Sequence, residues 1–164
     1  MEHHARKLRS EFNTFLAGQD FTHAVTLKPN YQSTLATDNF LRSAFRRFHR
    51  DVDQILLGSR FNTPEKSAAR SLAFGIVEGL PRAGHIHGLF RIANERWDDF
   101  EALFRPLDLD RSINPKRLNP WGHRVVGGTS VVERLYDADG WAGYSTKYLF
   151  DADSYDRVMI LPEL

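Results

Sequence analysis

The stretch SLAFGIVEGLPRAGHIHGLFRI, residues 71–92, decides the fold of this chain. Residues 71–79 and 85–92 are two short, mainly apolar runs with β-branched and aromatic members, which is typical of strands. Residues 80–84, Leu-Pro-Arg-Ala-Gly, break the pattern with proline and glycine, as a tight connection does. The sequence therefore predicts an antiparallel hairpin.

The spacing of apolar residues on either side of this hairpin predicts the other elements. They are a short helix at residues 4–17, a strand at 21–28, a helix from 38 to about 57, a helix at 95–104, mainly loop from 105 to 128, a strand at 130–136 and a helix at 141–150. The resulting order of strand, helix, strand, strand, helix, strand favours an antiparallel sheet with helices on one face, as in ferredoxin-like and RNA-recognition folds. The predicted class is α+β, and the other sheet face is left free for a site.

Composition limits the functions that are open to the chain. The 164 residues fit a single domain, and no apolar run reaches the roughly 18 residues that cross a bilayer. We therefore expect a cytoplasmic protein without a membrane partner. There is no cysteine, so thiolate catalysis and cysteine metal sites are excluded. The net charge is only +1, but residues 1–50 hold eight basic and four acidic residues, a balance that suits contact with a phosphate backbone.

His85 and His87 are two residues apart on a predicted strand, so both side chains point to the same sheet face. Glu78 lies on the preceding strand, and its carboxylate joins that face if the register places it opposite His85. Two imidazoles and one carboxylate would leave positions open for water and phosphate oxygens on a divalent metal. The alternative is a histidine pair that is merely exposed or hydrogen-bonded on the sheet.

Tyr144, Lys147 and Tyr148 fall at i, i+3 and i+4 of the last predicted helix and share one helix face. A tyrosine hydroxyl can attack a phosphodiester and form a phosphotyrosine linkage, while a lysine beside it neutralises charge. For Tyr148, which precedes Leu149 and Phe150, ordinary core packing is the competing interpretation.

Three motifs in this order resemble the HUH endonucleases, and among them the rolling-circle replication initiator (Rep) proteins. Residues 21–30, FTHAVTLKPN, are similar to the family's first motif. Residues 84–88, GHIHG, match the histidine-hydrophobic-histidine motif, and residues 143–148, GYSTKY, match Tyr-x-x-Lys. The resemblance covers roughly residues 20–150, so the whole chain of 1–164 is expected to be a single HUH domain.

The resemblance implies a five-stranded antiparallel sheet, a Mg²⁺ or Mn²⁺ ion, and cleavage of single-stranded DNA at an origin or hairpin through a 5′-phosphotyrosine. It implies that His85, His87 and Glu78 bind the metal, that Tyr144 is the nucleophile and that Lys147 supports it. Asp151 stands where two-tyrosine initiators often carry a second lysine, so Tyr144 is favoured over Tyr148. The chain has no Gly-Lys dipeptide and hence no Walker A loop, so strand unwinding is expected from another protein or from a further region of this one, and a host helicase and polymerase are the expected partners.

Basic residues in two regions are candidates for DNA contact. They are Lys28, Arg46, Arg111, Lys116, Arg117 and Arg124. Two other functions stay open. One is an HUH transposase or relaxase, although transposases usually pair the tyrosine with glutamine or histidine and relaxases place it before the histidines. The other is a non-catalytic nucleic-acid-binding domain, which would stack bases on exposed aromatic side chains of the central strands.

Overall fold

Four helices and five strands make up the computed structural model, which describes residues 2–29, 36–105, 119–136 and 158–162. The helices are α1 (Glu2–Ala17), α2 (Asp38–Leu57), α3 (Trp97–Ala102) and α4 (Pro120–Arg124), and 3₁₀ turns lie at Pro64–Ala69 and Asn94–Arg96. The strands are β1 (His23–Lys28), β2 (Leu72–Glu78), β3 (His85–Arg91), β4 (Thr129–Arg134) and β5 (Val158–Leu161). The helix predicted at residues 141–150 lies outside the described residues.

The five strands form one sheet in the order β4-β1-β3-β2-β5, and every neighbouring pair is antiparallel. The hairpin predicted from residues 71–92 is the β2–β3 pair. The first four strands follow the 4-1-3-2 order that a β-α-β-β-α-β chain gives when β3 inserts between β1 and β2. The predicted α+β class with an antiparallel sheet is confirmed.

Helix α2 begins at Asp38 and is capped by Thr37, whose hydroxyl accepts a hydrogen bond from the Phe40 amide at 3.2 Å. It ends at Gly58, whose positive φ of 84° suits a residue without a side chain. One side of the helix is buried against a face of the sheet. The apolar residues on that side are Leu41, Ala44, Phe45, Phe48 and Val52. Val25, Val77, Ile86 and Phe90 of the sheet belong to the same apolar cluster.

Phe45 lies directly over two glycines that face each other across the β2–β3 hairpin, Gly75 and Gly88. A Cβ added to Gly75 would come within 2.5 Å of the Phe45 ring, and one added to Gly88 would come within 2.8 Å of Val25 Cγ2. The missing side chains therefore allow α2 to approach the sheet closely.

We predict that Gly75→Ala lowers the free energy of unfolding by about 1–3 kcal/mol, because the Phe45 ring must leave its position in a packed core. Urea denaturation followed by circular dichroism measures the change. Gly18→Ala is the matched control, since a Cβ there meets nothing closer than 3.5 Å. Equal stability of the two variants would contradict this account of the glycine.

Helix α1 packs on the opposite sheet face, where the expected fold placed no helix. Leu16 is buried there with Ala24, Phe74 and Leu89, and Phe12 packs against this cluster. The reason is that alternate residues of the central strands present a second apolar patch, which must be covered. The cover is partial: Val131 of β4, on the same face beyond this patch, is 54% exposed.

Two helices, α3 and α4, differ most from the sequence prediction. The predicted loop 105–128 contains α4, which Asn119 caps by accepting a hydrogen bond from the Gly122 amide at 3.0 Å. The helix is held because Trp121 is fully buried and its indole donates to the Lys28 carbonyl at 2.8 Å. The predicted helix 95–104 is shorter, since the 3₁₀ turn precedes α3.

Within the described residues, none of the helices is both long and apolar enough to traverse a bilayer.

Candidate metal centre

Strand pairing brings three predicted ligands together at the closed end of the β2–β3 hairpin. Glu78 is the direct partner of His85, which is the register that the sequence argument required. His87 follows two residues later on β3, so its side chain leaves the same face. Ile86, between the two histidines, points the other way and is fully buried in the α2 core.

The three side chains converge on one point. The Nε2 atoms of His85 and His87 are 3.2 Å apart, and each lies 3.8 Å from Glu78 Oε2. One nitrogen or oxygen from each residue falls within 4.8 Å of the others. The side chains of Glu78 and His87 are 10% and 11% exposed, whereas the His85 side chain is 23% exposed and forms the accessible side of the group.

Each histidine is held by its second ring nitrogen. His85 Nδ1 lies 2.8 Å from the carbonyl oxygen of Ala83, and His87 Nδ1 lies 3.2 Å from Thr26 Oγ1. A carbonyl can only accept, so His85 carries its hydrogen on Nδ1 and leaves the Nε2 lone pair free to ligate. Thr26 pairs with His87 across β1 and β3. Thr26 lies in the first motif but was not among the predicted site residues, because only the register of β1 against β3 places it beside His87.

The positions of Glu78, His85 and His87 are suited to binding a metal ion. Two imidazole nitrogens and one carboxylate oxygen are available at one end of a sheet face, and together they could hold a metal ion. Helix α1 covers another part of this face, around Phe74 and Leu89, and His85 has the most exposed side chain of the three ligands. Three protein ligands leave coordination positions for water or substrate oxygens.

The predicted DNA-contact residues are separated by the sheet. Lys28 is exposed at the end of β1. Because it follows Thr26 by two residues, it lies on the sheet face that carries the metal group. Arg46 lies on α2 and Arg124 on α4, in the helical layer on the opposite side. Arg124 is also engaged by Asp51, with two nitrogen–oxygen distances of 2.5 and 2.6 Å.

Six further predicted site residues fall outside the described part of the chain. They are Tyr144, Lys147, Tyr148, Arg111, Lys116 and Arg117. Their proposed roles stay predictions.

Two other histidines have structural roles. His49 is buried on α2, where its Nε2 lies 3.0 Å from the Ser71 carbonyl, and Asp53 accepts from the Ser71 hydroxyl at 2.7 Å. His23 is fully buried, with Nε2 3.2 Å from Glu101 Oε1. Burial lowers the pKa of both His23 and His49, which favours the neutral ring in each case.

The chain was compared with known protein families, proteins and structures. Family models, curated proteins and solved structures gave no match to the chain.

Proposed function

We propose that this protein is a metal-dependent endonuclease of the HUH type, which nicks single-stranded DNA through a covalent tyrosine intermediate. The observation that carries the proposal is the convergence of His85, His87 and Glu78 on one point of a sheet face. The sequence adds Tyr144-x-x-Lys147 downstream. A group of metal ligands on a sheet face, followed in the chain by a tyrosine beside a lysine, fits phosphodiester transfer.

In the proposed reaction, the Tyr144 hydroxyl attacks the scissile phosphorus. The bond between phosphorus and tyrosine oxygen forms as the bond to the 3′ oxygen of the upstream nucleotide breaks. The tyrosine proton leaves to solvent and the 3′ oxygen takes up a proton. The product is a 5′-phosphotyrosine and a free 3′-hydroxyl, and the reverse reaction rejoins a strand.

The proposed phosphodiester chemistry and the resemblance to the HUH endonucleases favour Mg²⁺ or Mn²⁺ as the ion. A carboxylate together with open positions for water and phosphate suits these hard cations, and two imidazoles make Mn²⁺ the better match of the two. When bound, the ion would polarise the non-bridging phosphate oxygens. His85, His87 and Glu78 would hold it in place, and the carboxylate would offset part of its charge.

Lys28 is well placed to assist at the same site. Its alternation with Thr26 directs it to the metal face, and it is exposed at the end of β1. An ammonium group on that face would attract the phosphate backbone of an incoming strand. Arg46 and Arg124, on the other side of the sheet, are weaker candidates for this contact.

The non-catalytic binding function has less support. It requires exposed aromatic side chains on the central strands, where bases could stack. Strands β1, β2 and β3 are described throughout, and their aromatic residues other than histidine are Phe74 and Phe90, both fully buried.

Incubation of the protein with a randomised single-stranded DNA pool and Mn²⁺ tests the proposal. We expect a protein–DNA adduct that survives denaturation and that EDTA prevents. Sequencing the trapped strands would then give the preferred site. Tight binding of the pool without an adduct, unchanged by EDTA, would reject the nickase and favour a binding domain.

A further inference from the structure

The two histidines of the metal group are anchored by different kinds of partner. The Ala83 carbonyl, which accepts from His85 Nδ1, belongs to the backbone of the hairpin connection, where the Ala83 amide donates to the Gly79 carbonyl at 2.8 Å. The partner of His87 Nδ1 is a side chain, the hydroxyl of Thr26. The orientation of His87 therefore depends on a group that a point mutation can remove.

The position of Thr26 is restricted by strand pairing on both sides. It lies in the middle of β1, paired with His87 on one side and with Val131 of β4 on the other. Its chain neighbours Val25 and Leu27 are buried on the α2 side of the sheet, at 1% and 0% exposure. The β-branched side chain has few χ1 choices on such a strand. The hydroxyl is therefore presented to His87 with little freedom to turn away.

A hydroxyl in this place has a chemical consequence for ligation. When Nε2 of a histidine binds a metal, the hydrogen resides on Nδ1, and an acceptor at Nδ1 fixes both the tautomer and the plane of the ring. The oxygen of Thr26 can act as that acceptor at 3.2 Å. Valine has nearly the same shape but offers no acceptor.

We propose that Thr26 is a positioning residue for the metal ion, because its hydroxyl accepts from Nδ1 of metal-bound His87 and holds the ring in the orientation that directs Nε2 at the ion. This inference depends on the metal site of the proposed function. Thr26 acts through His87 and contacts neither the ion nor the DNA. Loss of the hydroxyl should therefore weaken metal binding while the fold is preserved.

The test is Mn²⁺ titration of the whole protein, with free Mn²⁺ followed by electron paramagnetic resonance. We expect Thr26→Val to raise the Kd for Mn²⁺ by about 10–100-fold, the usual cost of losing an outer-shell partner. Thr26→Ser, which keeps the hydroxyl, should bind nearly as well as the wild type. Thr129→Val is the matched control, because Thr129 is an exposed threonine on the neighbouring strand β4.

Thermal melting in EDTA and the visible spectrum of bound Co²⁺ separate positioning from folding. Thr26→Val should melt close to the wild type in EDTA, yet its Co²⁺ spectrum should change because the ligand geometry changes. Thr26→Ala is a second variant without the hydroxyl, and it should show the same weakened binding. Wild-type Mn²⁺ affinity in both Thr26→Val and Thr26→Ala would overturn the inference and leave the metal site intact. Failure of the wild type to bind either ion would overturn the metal site itself.

Discussion

His87→Ala is expected to abolish both Mn²⁺ binding and the metal-dependent DNA adduct. His87 supplies one of the three protein ligands that the described residues bring together, and its Nε2 lies 3.8 Å from Glu78 Oε2 and 3.2 Å from His85 Nε2. The loss should exceed the roughly 10–100-fold that removal of an outer-shell partner causes. The remaining pair would bind the ion too weakly to retain it at millimolar concentration.

Thermal unfolding with and without Mn²⁺ measures this loss. An ion that binds only the folded state stabilises it by about 2.7 kcal/mol at a concentration 100 times its Kd. This stabilisation should appear in the wild type and disappear in His87→Ala. Glu78→Gln, which keeps the shape of the side chain but removes its charge, should also lose most of it.

His123→Ala is the matched control for this experiment. His123 is an exposed histidine on α4, in the helical layer on the other side of the sheet. Its removal should leave the Mn²⁺ effect and the adduct unchanged. If His123→Ala and His87→Ala lose the stabilisation by Mn²⁺ equally, the ion binds at scattered surface histidines. That result would contradict a specific metal site at His85, His87 and Glu78.

The part of the site that could be predicted from sequence is the part that short-range pairing controls. A hairpin has one register once its turn and its buried face are known, and the period of two then decides which side chains share a face. Ile86 must point into the core, so His85 and His87 must point out of it. Whether Glu78 faces His85 depended on the register of the hairpin, and the structure shows that the two residues pair.

Features that depend on distant parts of the chain could not be predicted in this way. Strand β5 has only four residues and pairs with β2 from the far end of the sequence. The sheet face that Phe12 and Leu16 of α1 cover could not be predicted, because both faces of β2 and β3 are largely apolar. The link between Thr26 and His87 spans 61 residues and required the β1–β3 register, which local patterns do not determine.

Tyr144→Phe is expected to remove the covalent adduct altogether while binding of single-stranded DNA and of Mn²⁺ persists. Phenylalanine keeps the ring but lacks the oxygen that would bond to phosphorus, so adduct formation should fall by several orders of magnitude. The adduct is scored by denaturing gel with a labelled oligonucleotide that contains the preferred site. Binding is scored separately by fluorescence anisotropy on the same strand.

Two further tyrosine variants identify the nucleophile. Tyr136→Phe is the matched control, since Tyr136 is 94% exposed just after β4 and has no assigned role. Its adduct yield should equal that of the wild type. Tyr148→Phe should still form the first adduct if Tyr144 alone attacks, because Asp151 replaces the second lysine of the two-tyrosine pattern. If Tyr148→Phe loses the adduct and Tyr144→Phe retains it, Tyr148 is the nucleophile and the assignment of Tyr144 is wrong.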